Sequence, residues 1–109
     1  MAEDTEDRPV LDTLAAMTAA SVLECNLVPR ELMLARLAAL AAVDASPISY
    51  LANAGTASDV GVTLEDVQGI LVAVAPIVGT ARIMTAAGNI AAALGFAIAV
   101  AEELDSEAG

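Results

Sequence analysis

The side chains that could carry chemistry gather between Asp44 and Asp66, in the run DASPISYLANAGTASDVGVTLED. Ser46, Ser49 and Asn53 stand at positions x, x+3 and x+7, so a helix through them carries all three, with Ala57, along one face. A redox or acid–base enzyme using that spacing would place cysteines or a histidine there. Hydroxyl and amide groups hold a ligand by hydrogen bonds but exchange no proton near neutral pH. Two readings follow for the trio: a helix N-cap with polar groups on a helix face, or a pocket that binds a small polar ligand. Tyr50, one of very few aromatic residues, is either a pocket wall or a core tyrosine with a bonded hydroxyl. Arg36 can reach a ligand's carboxylate, or pair with Asp44, Asp59 or Glu65 across a subunit boundary.

The remaining reactive groups offer less. The chain has no histidine and a single cysteine, so a disulfide within the chain and a thiolate metal site are both excluded, and no metal or other cofactor is expected. Cys25 follows Glu24 at a helix end, where a carboxylate disfavours the thiolate, so it reads as an inert thiol. Proton transfer would fall to Glu31, Glu65, Asp66 or Tyr50, and nothing in the sequence places one of those carboxylates in an apolar pocket. Catalytic residues therefore stay unassigned.

Four arginines and no lysine stand against fifteen acids, a net charge of −11. Glu3, Asp4, Glu6 and Asp7 crowd one end and Glu102, Glu103, Asp105 and Glu107 the other, reading as solvated tails around an apolar, alanine-rich body. Such a field repels phosphate backbones, and no basic patch offsets it, so nucleic acid is not an expected partner. Apolar residues make up 58% of the chain, above the roughly 45–50% of soluble domains. A small monomer cannot hide that much apolar surface, which predicts a homo-oligomer. The lone cysteine fits a reducing cytoplasm, and the acidic first residues predict no secretory leader. Ile83 to Ala101 lacks charge over a length that just reaches a bilayer span. Its alanines, glycines, Thr85 and Asn89, with acids directly after, predict that it does not cross one.

An all-α domain of five or six helices has to position these groups, with residues 1–8 as an acidic N-terminal tail, 9–104 as the single domain and 105–109 as a C-terminal tail. Pro9 opens a first helix to about Glu24, with an apolar stripe at Leu11, Leu14, Thr18 and Val22 widened by Ala15 and Met17. Pro29 opens a second, to about Asp44, packing through Leu32, Ala35, Leu37 or Ala39, and Leu40. Ser46 as N-cap and Pro47 open a third, to about Ser58, with Ile48, Leu51, Ala52 and Gly55 turned inward. Gly61 supplies a left-handed turn position, and Thr63 with Asp66 forms a capping box for a fourth helix through Val67, Ile70, Leu71 and Val74. Gly79 ends that helix. From Thr80 the chain is apolar nearly all round (Ile83, Met84, Ile90, Leu94, Phe96, Ile98, Val100), which predicts burial on every side against other subunits. Gly95 marks either a kink or a close helix approach. Arg82, in this apolar quarter, needs a carboxylate or helix-end carbonyls.

Three pieces, PRELMLARLAAL at Pro29–Leu40, GVTLEDV at Gly61–Val67 and APIVGTAR at Ala75–Arg82, give the run from Arg30 to Leu94 a likeness: it resembles the carboxymuconolactone decarboxylase family, which includes the alkylhydroperoxidase D branch. The resemblance implies an all-helical subunit that assembles into trimers or hexamers. Peroxidases of the family carry C-x-x-C-x-x-x-H before the Gly-Val-Thr turn, where this chain reads SPISYLAN, with Ser46 and Ser49 at the cysteine positions and Asn53 at the histidine. The decarboxylase branch also has a histidine at the Asn53 position. The expectation is a family-like protein without thiol peroxidase activity, serving as a small-ligand-binding or structural homo-oligomer. The alternatives are a decarboxylase or lactone-processing enzyme that orients a small carboxylated substrate with Asn53, Ser49 and Arg36, or a residual alkylhydroperoxidase-type antioxidant activity.

Overall fold

Local chemistry at the chain's prolines and its one capping box sets the frame of the fold. The computed structural model describes the backbone of residues 8–108 and the side chains of residues 8–95. Within them are α1 (Pro9–Glu24), α2 (Pro29–Ala42), α3 (Pro47–Asp59), α4 (Leu64–Val78) and α5 (Thr80–Ala108), with no strand among the described residues. The chain is all-α, as expected. Of the expected N-terminal tail, residues 1–7 lie outside the described residues, as do the side chains of Phe96, Ile98 and Val100.

Pro9, Pro29 and Pro47 each occupy the first turn of a helix, where the missing N–H costs nothing and the fixed φ is already helical. Ser46 sits at the N-cap of α3 with extended backbone, but its hydroxyl caps nothing, contrary to expectation. Thr63 does cap α4: its Oγ1 accepts from the Asp66 N–H at 3.1 Å and an Asp66 carboxylate oxygen accepts from the Thr63 N–H at 2.9 Å. This reciprocal box satisfies two otherwise orphaned donors.

Both α2 and α3 end in the same turn geometry. After α3, Gly61 has φ +88° and its N–H bonds the Ser58 carbonyl, while the Val62 N–H reaches back to Ala57 at 2.9 Å. After α2, the Ala45 N–H reaches Leu40 at 3.0 Å, and the left-handed position, φ 60°, falls to Asp44. Asp is tolerated there because its short polar side chain can bond locally, so α2 stops at Ala42, short of the expected Asp44. Gly79 ends α4 as expected, with φ +100°.

The core lies among α2, α3, α4 and α5. Leu32, Met33, Leu37 and Ala41 of α2, Tyr50 and Ala57 of α3, and Ala86 and Ala93 of α5 are buried, and Val67 and Ile70 of α4 pack against them half-buried. Leu32, Leu37 and Leu40 face inward as expected, whereas Ala35 and Ala39 are exposed. On α3 the expected face is rotated. Tyr50 and Ala57 are buried, Leu51 is half-buried, and Ile48, Ala52 and Gly55 face out. The large Tyr50 ring takes the inward position, and residues on the far side of the helix turn away with it.

Two apolar surfaces find no full cover within the described subunit. Every residue of α1 is exposed, so its predicted stripe packs on nothing among the described residues of the subunit. The described part of α5 buries one stripe, Ile83, Ala86, Asn89, Ile90 and Ala93, while Met84, Ala87, Ala91 and Leu94 are exposed, so it is not covered on every side by its own chain. α5 is one continuous helix through Gly95 to Ala108, so Gly95 makes no break and the acidic end from Asp105 continues as helix.

Polar bonds tie α5 and α4 to α2. Arg82 Nη1 donates to the Ala42 carbonyl at 2.9 Å, one of the unpaired carbonyls of a helix C-terminus, as expected for this residue. Asn89 Nδ2 donates to Ala45 O at 3.0 Å, and Arg30 meets Asp66 at 2.7 Å.

Candidate functional site

A half-open cleft of about 190 Å³ lies between the C-terminal half of α3, the start of α4 and the middle of α5. Tyr50, Ala54 and Ala57, one helical stripe of α3, form one wall. Val62, Leu64 and Val67 form the second, and Ile90, Ala93 and Leu94 the third, with Leu37 of α2 beneath. Among the described residues, the polar side chains reaching it besides Tyr50 are those of Ser58 and Thr63, and the Thr63 hydroxyl is already engaged in its cap. No charged side chain among them lines it.

Tyr50 is the unusual group. It is 4% exposed, and its hydroxyl is buried with no hydrogen-bond partner among the described residues. A phenol taken from water without a replacement bond costs about 1–3 kcal/mol. Burial, and then the negative charge of Asp44, push its pKa above the ordinary tyrosine value, so it stays protonated and neutral through the physiological range. The expectation of a core tyrosine with a bonded hydroxyl therefore holds for its burial and fails for its bond, and Tyr50 is at the same time a wall of the cleft.

The other candidates do not meet it there. Ser46 is exposed at the N-cap of α3 and lines no part of the cleft. Asn53 is half-buried, and its Nδ2 donates to the Ser49 backbone carbonyl at 2.8 Å, one turn back along its own helix. That bond occupies the amide with its own backbone. Ser49 is likewise half-buried and away from the cleft. Within the subunit Arg36 does not line the cleft; its Nη2 donates to Ser21 Oγ at 3.1 Å, anchoring the end of α1. Of the five candidate residues, only Tyr50 lies at the cleft.

The acid–base candidates are also elsewhere. Glu31 and Glu65 are exposed. The Thr63 backbone N–H, followed by the Arg30 guanidinium, holds the Asp66 carboxyl below the usual carboxylate range, so it is an ionised structural group and a poor proton donor near pH 7. The Cys25 sulfur is half-buried and accepts from the Leu27 N–H at 3.4 Å. No group of three or more potential metal ligands converges among the described residues, and no described helix is long and apolar enough to cross a membrane.

Compared with protein families, with curated proteins and with solved structures, the chain matches none. The cleft was not visible in the sequence because its walls are ordinary Ala, Val, Leu and Ile positions drawn from four helices. The one available signal was the scarcity of aromatics, which made Tyr50 stand out.

Proposed function

We propose that this chain is a non-catalytic ligand-binding subunit, of the carboxymuconolactone decarboxylase-like kind and assembled with copies of itself, whose cleft takes a small uncharged apolar molecule. The supporting observation is the cleft beside Tyr50: three apolar walls, no charged lining residue among those described and a volume of about 190 Å³. An engineered apolar cavity of about 150 Å³ is enough to bind benzene, so one aromatic ring with a small substituent fits here. A carboxylated ligand fits poorly, because it would enter a chain of net charge −11 with no cation to receive it. The same lining argues against decarboxylase or lactone chemistry, since neither Arg36 nor any described glutamate reaches the cleft. The likeness of Arg30–Leu94 to that family is a likeness of helix and turn sequences, and it supports the assembly more than any activity.

Titration with toluene and with benzoate, followed by the NMR shifts of the alanine methyls, tests this reading. Toluene should move Ala54, Ala57 and Ala93 with a Kd of about 1 mM, a reasonable limit for so small a ligand, and benzoate should bind at least about tenfold more weakly. Ala54→Leu, which fills the cleft from a partly open wall, should abolish the toluene shifts. Equal binding of the two probes, or toluene shifts that survive Ala54→Leu, would refute the site.

A further inference from the structure

The cleft beside Tyr50 is not lined evenly. Its floor is buried: Leu37 is 8% exposed, Tyr50 4%, and Ala57 and Ala93 6% each. Its rim is exposed, and there Leu64 and Leu94 stand beside two hydroxyl residues, Ser58 and Thr63. Ser58 belongs to the last turn of α3 and Thr63 is the N-cap of α4. The turn between them brings the two together, with the Gly61 N–H donating to the Ser58 carbonyl at 3.0 Å and the Val62 N–H to the Ala57 carbonyl at 2.9 Å. Tyr50 lies eight residues before Ser58 on the same helix, about 12 Å away along its axis. The lining thus has an apolar part around Tyr50 and a pair of hydroxyls at the α3–α4 end.

What these hydroxyls can offer a ligand is narrow. The Thr63 oxygen already accepts from the Asp66 N–H at 3.1 Å, which fixes its position and leaves its O–H proton to be donated. At Ser58 the turn engages the backbone carbonyl and leaves the hydroxyl to the rim. A molecule that fills the floor and reaches the rim therefore meets donors. Without an acceptor oxygen there it would strip water from both hydroxyls and return nothing. The charge of that oxygen is restricted as well. Asp59 and Glu65, both exposed, neighbour Ser58 and Leu64 in the chain and repel a carboxylate or phosphate head. An ammonium head offers only hydrogens and finds no acceptor at Thr63.

We infer that the ligand of this cleft is a neutral carbonyl compound, a ketone or ester with one ring or a branched alkyl group. Its hydrocarbon part lies on Leu37, Tyr50 and Ala93, and its carbonyl oxygen accepts from Ser58 and Thr63. The capping box takes a second role here. The Asp66 N–H holds the Thr63 hydroxyl, and Arg30 of α2 holds the Asp66 carboxylate at 2.7 Å. The donor at the rim is therefore fixed from two helices before a ligand arrives, which lowers the ordering cost of binding.

This assignment rests on the cleft reading proposed above, and toluene, which has no oxygen, separates the two. In the wild-type protein toluene and acetophenone should both shift the Ala57 and Ala93 methyls. Bound acetophenone should give nuclear Overhauser effects from its ring to Tyr50 and from its acetyl methyl to Val62 or Leu64. In the double variant Ser58→Ala, Thr63→Val the acetophenone Kd should rise about tenfold, roughly threefold for each lost bond, and the toluene Kd should hold. Should loss of the α4 cap disturb that variant, Ser58→Ala alone leaves the cap intact and should raise the acetophenone Kd about threefold. If neither compound moves the methyls, the cleft reading itself falls. The carbonyl assignment alone falls if toluene binds and acetophenone does not. It falls equally if acetophenone binds with its ring at the rim, or as tightly to Ser58→Ala as to the wild type.

Discussion

Replacing Tyr50 by Phe keeps the ring that walls the cleft and removes only the hydroxyl, which is buried without a partner among the described residues. Deleting a stranded hydroxyl recovers the cost of stranding it, about 1–3 kcal/mol, of which repacking returns a part, so a gain of about 1 kcal/mol is expected. In a domain of this size 1 kcal/mol corresponds to a Tm rise of about 4–8 °C. Denaturant unfolding at a fixed protein concentration measures it, fixed because assembly makes the midpoint concentration-dependent. The pH dependence gives a second, independent readout. Burial and then Asp44 raise the Tyr50 pKa in the folded chain, so its contribution is fully present below the unfolded value near 10 and is lost as pH climbs through the folded value. With no lysine and a single tyrosine in the chain, an alkaline loss of stability above about pH 10 reports mainly this group. Tyr50→Phe should lack that loss. A variant that is instead destabilised by about 1 kcal/mol or more at neutral pH would show that the hydroxyl is hydrogen-bonded, and would refute its description as a stranded group.

The two helix caps make opposite predictions. Thr63→Ala should cost about 1 kcal/mol because the Thr63 hydroxyl caps α4, whereas Ser46→Ala should change stability by less than about 0.5 kcal/mol because the Ser46 hydroxyl caps nothing; chemical denaturation of both variants checks the contrast. The Asp66 carboxyl, lowered by the Thr63 backbone N–H and by Arg30, stabilises the fold above the unfolded carboxylate value, and its contribution disappears as pH falls through the lower folded value. Asp66→Asn should therefore flatten the acid limb of stability against pH.

Helix boundaries were legible because they depend on neighbouring residues. A proline in the first turn opened three helices, the Thr63–Asp66 pair opened a fourth, and Gly61 and Gly79 turned the chain with positive φ. The α2 end at Asp44 was missed because the usual sign of a left-handed residue is glycine. Helix faces were not legible for the opposite reason. On α1 and α5 apolar side chains occur almost all round, so periodicity does not choose which side is buried. On α3 the choice went to Tyr50, whose ring needed the space that Ile48 was expected to fill. The polar trio Ser46, Ser49 and Asn53 stood out in an alanine-rich chain, yet a hydroxyl or an amide is as readily occupied by its own helix, and Asn53 is. The cleft needs residues from four helices and has no polar signature, so only packing could reveal it.

Native mass spectrometry of the protein purified without detergent puts the proposal of a self-assembled subunit with an apolar cleft to its sharpest test. Recorded with toluene added above the Kd of about 1 mM expected for the cleft, the spectrum should show a multiple of 10.9 kDa carrying the added mass of toluene, and that added mass should be lost in Ala54→Leu. A bare 10.9 kDa monomer, or a retained mass held equally by Ala54→Leu, would contradict the proposal.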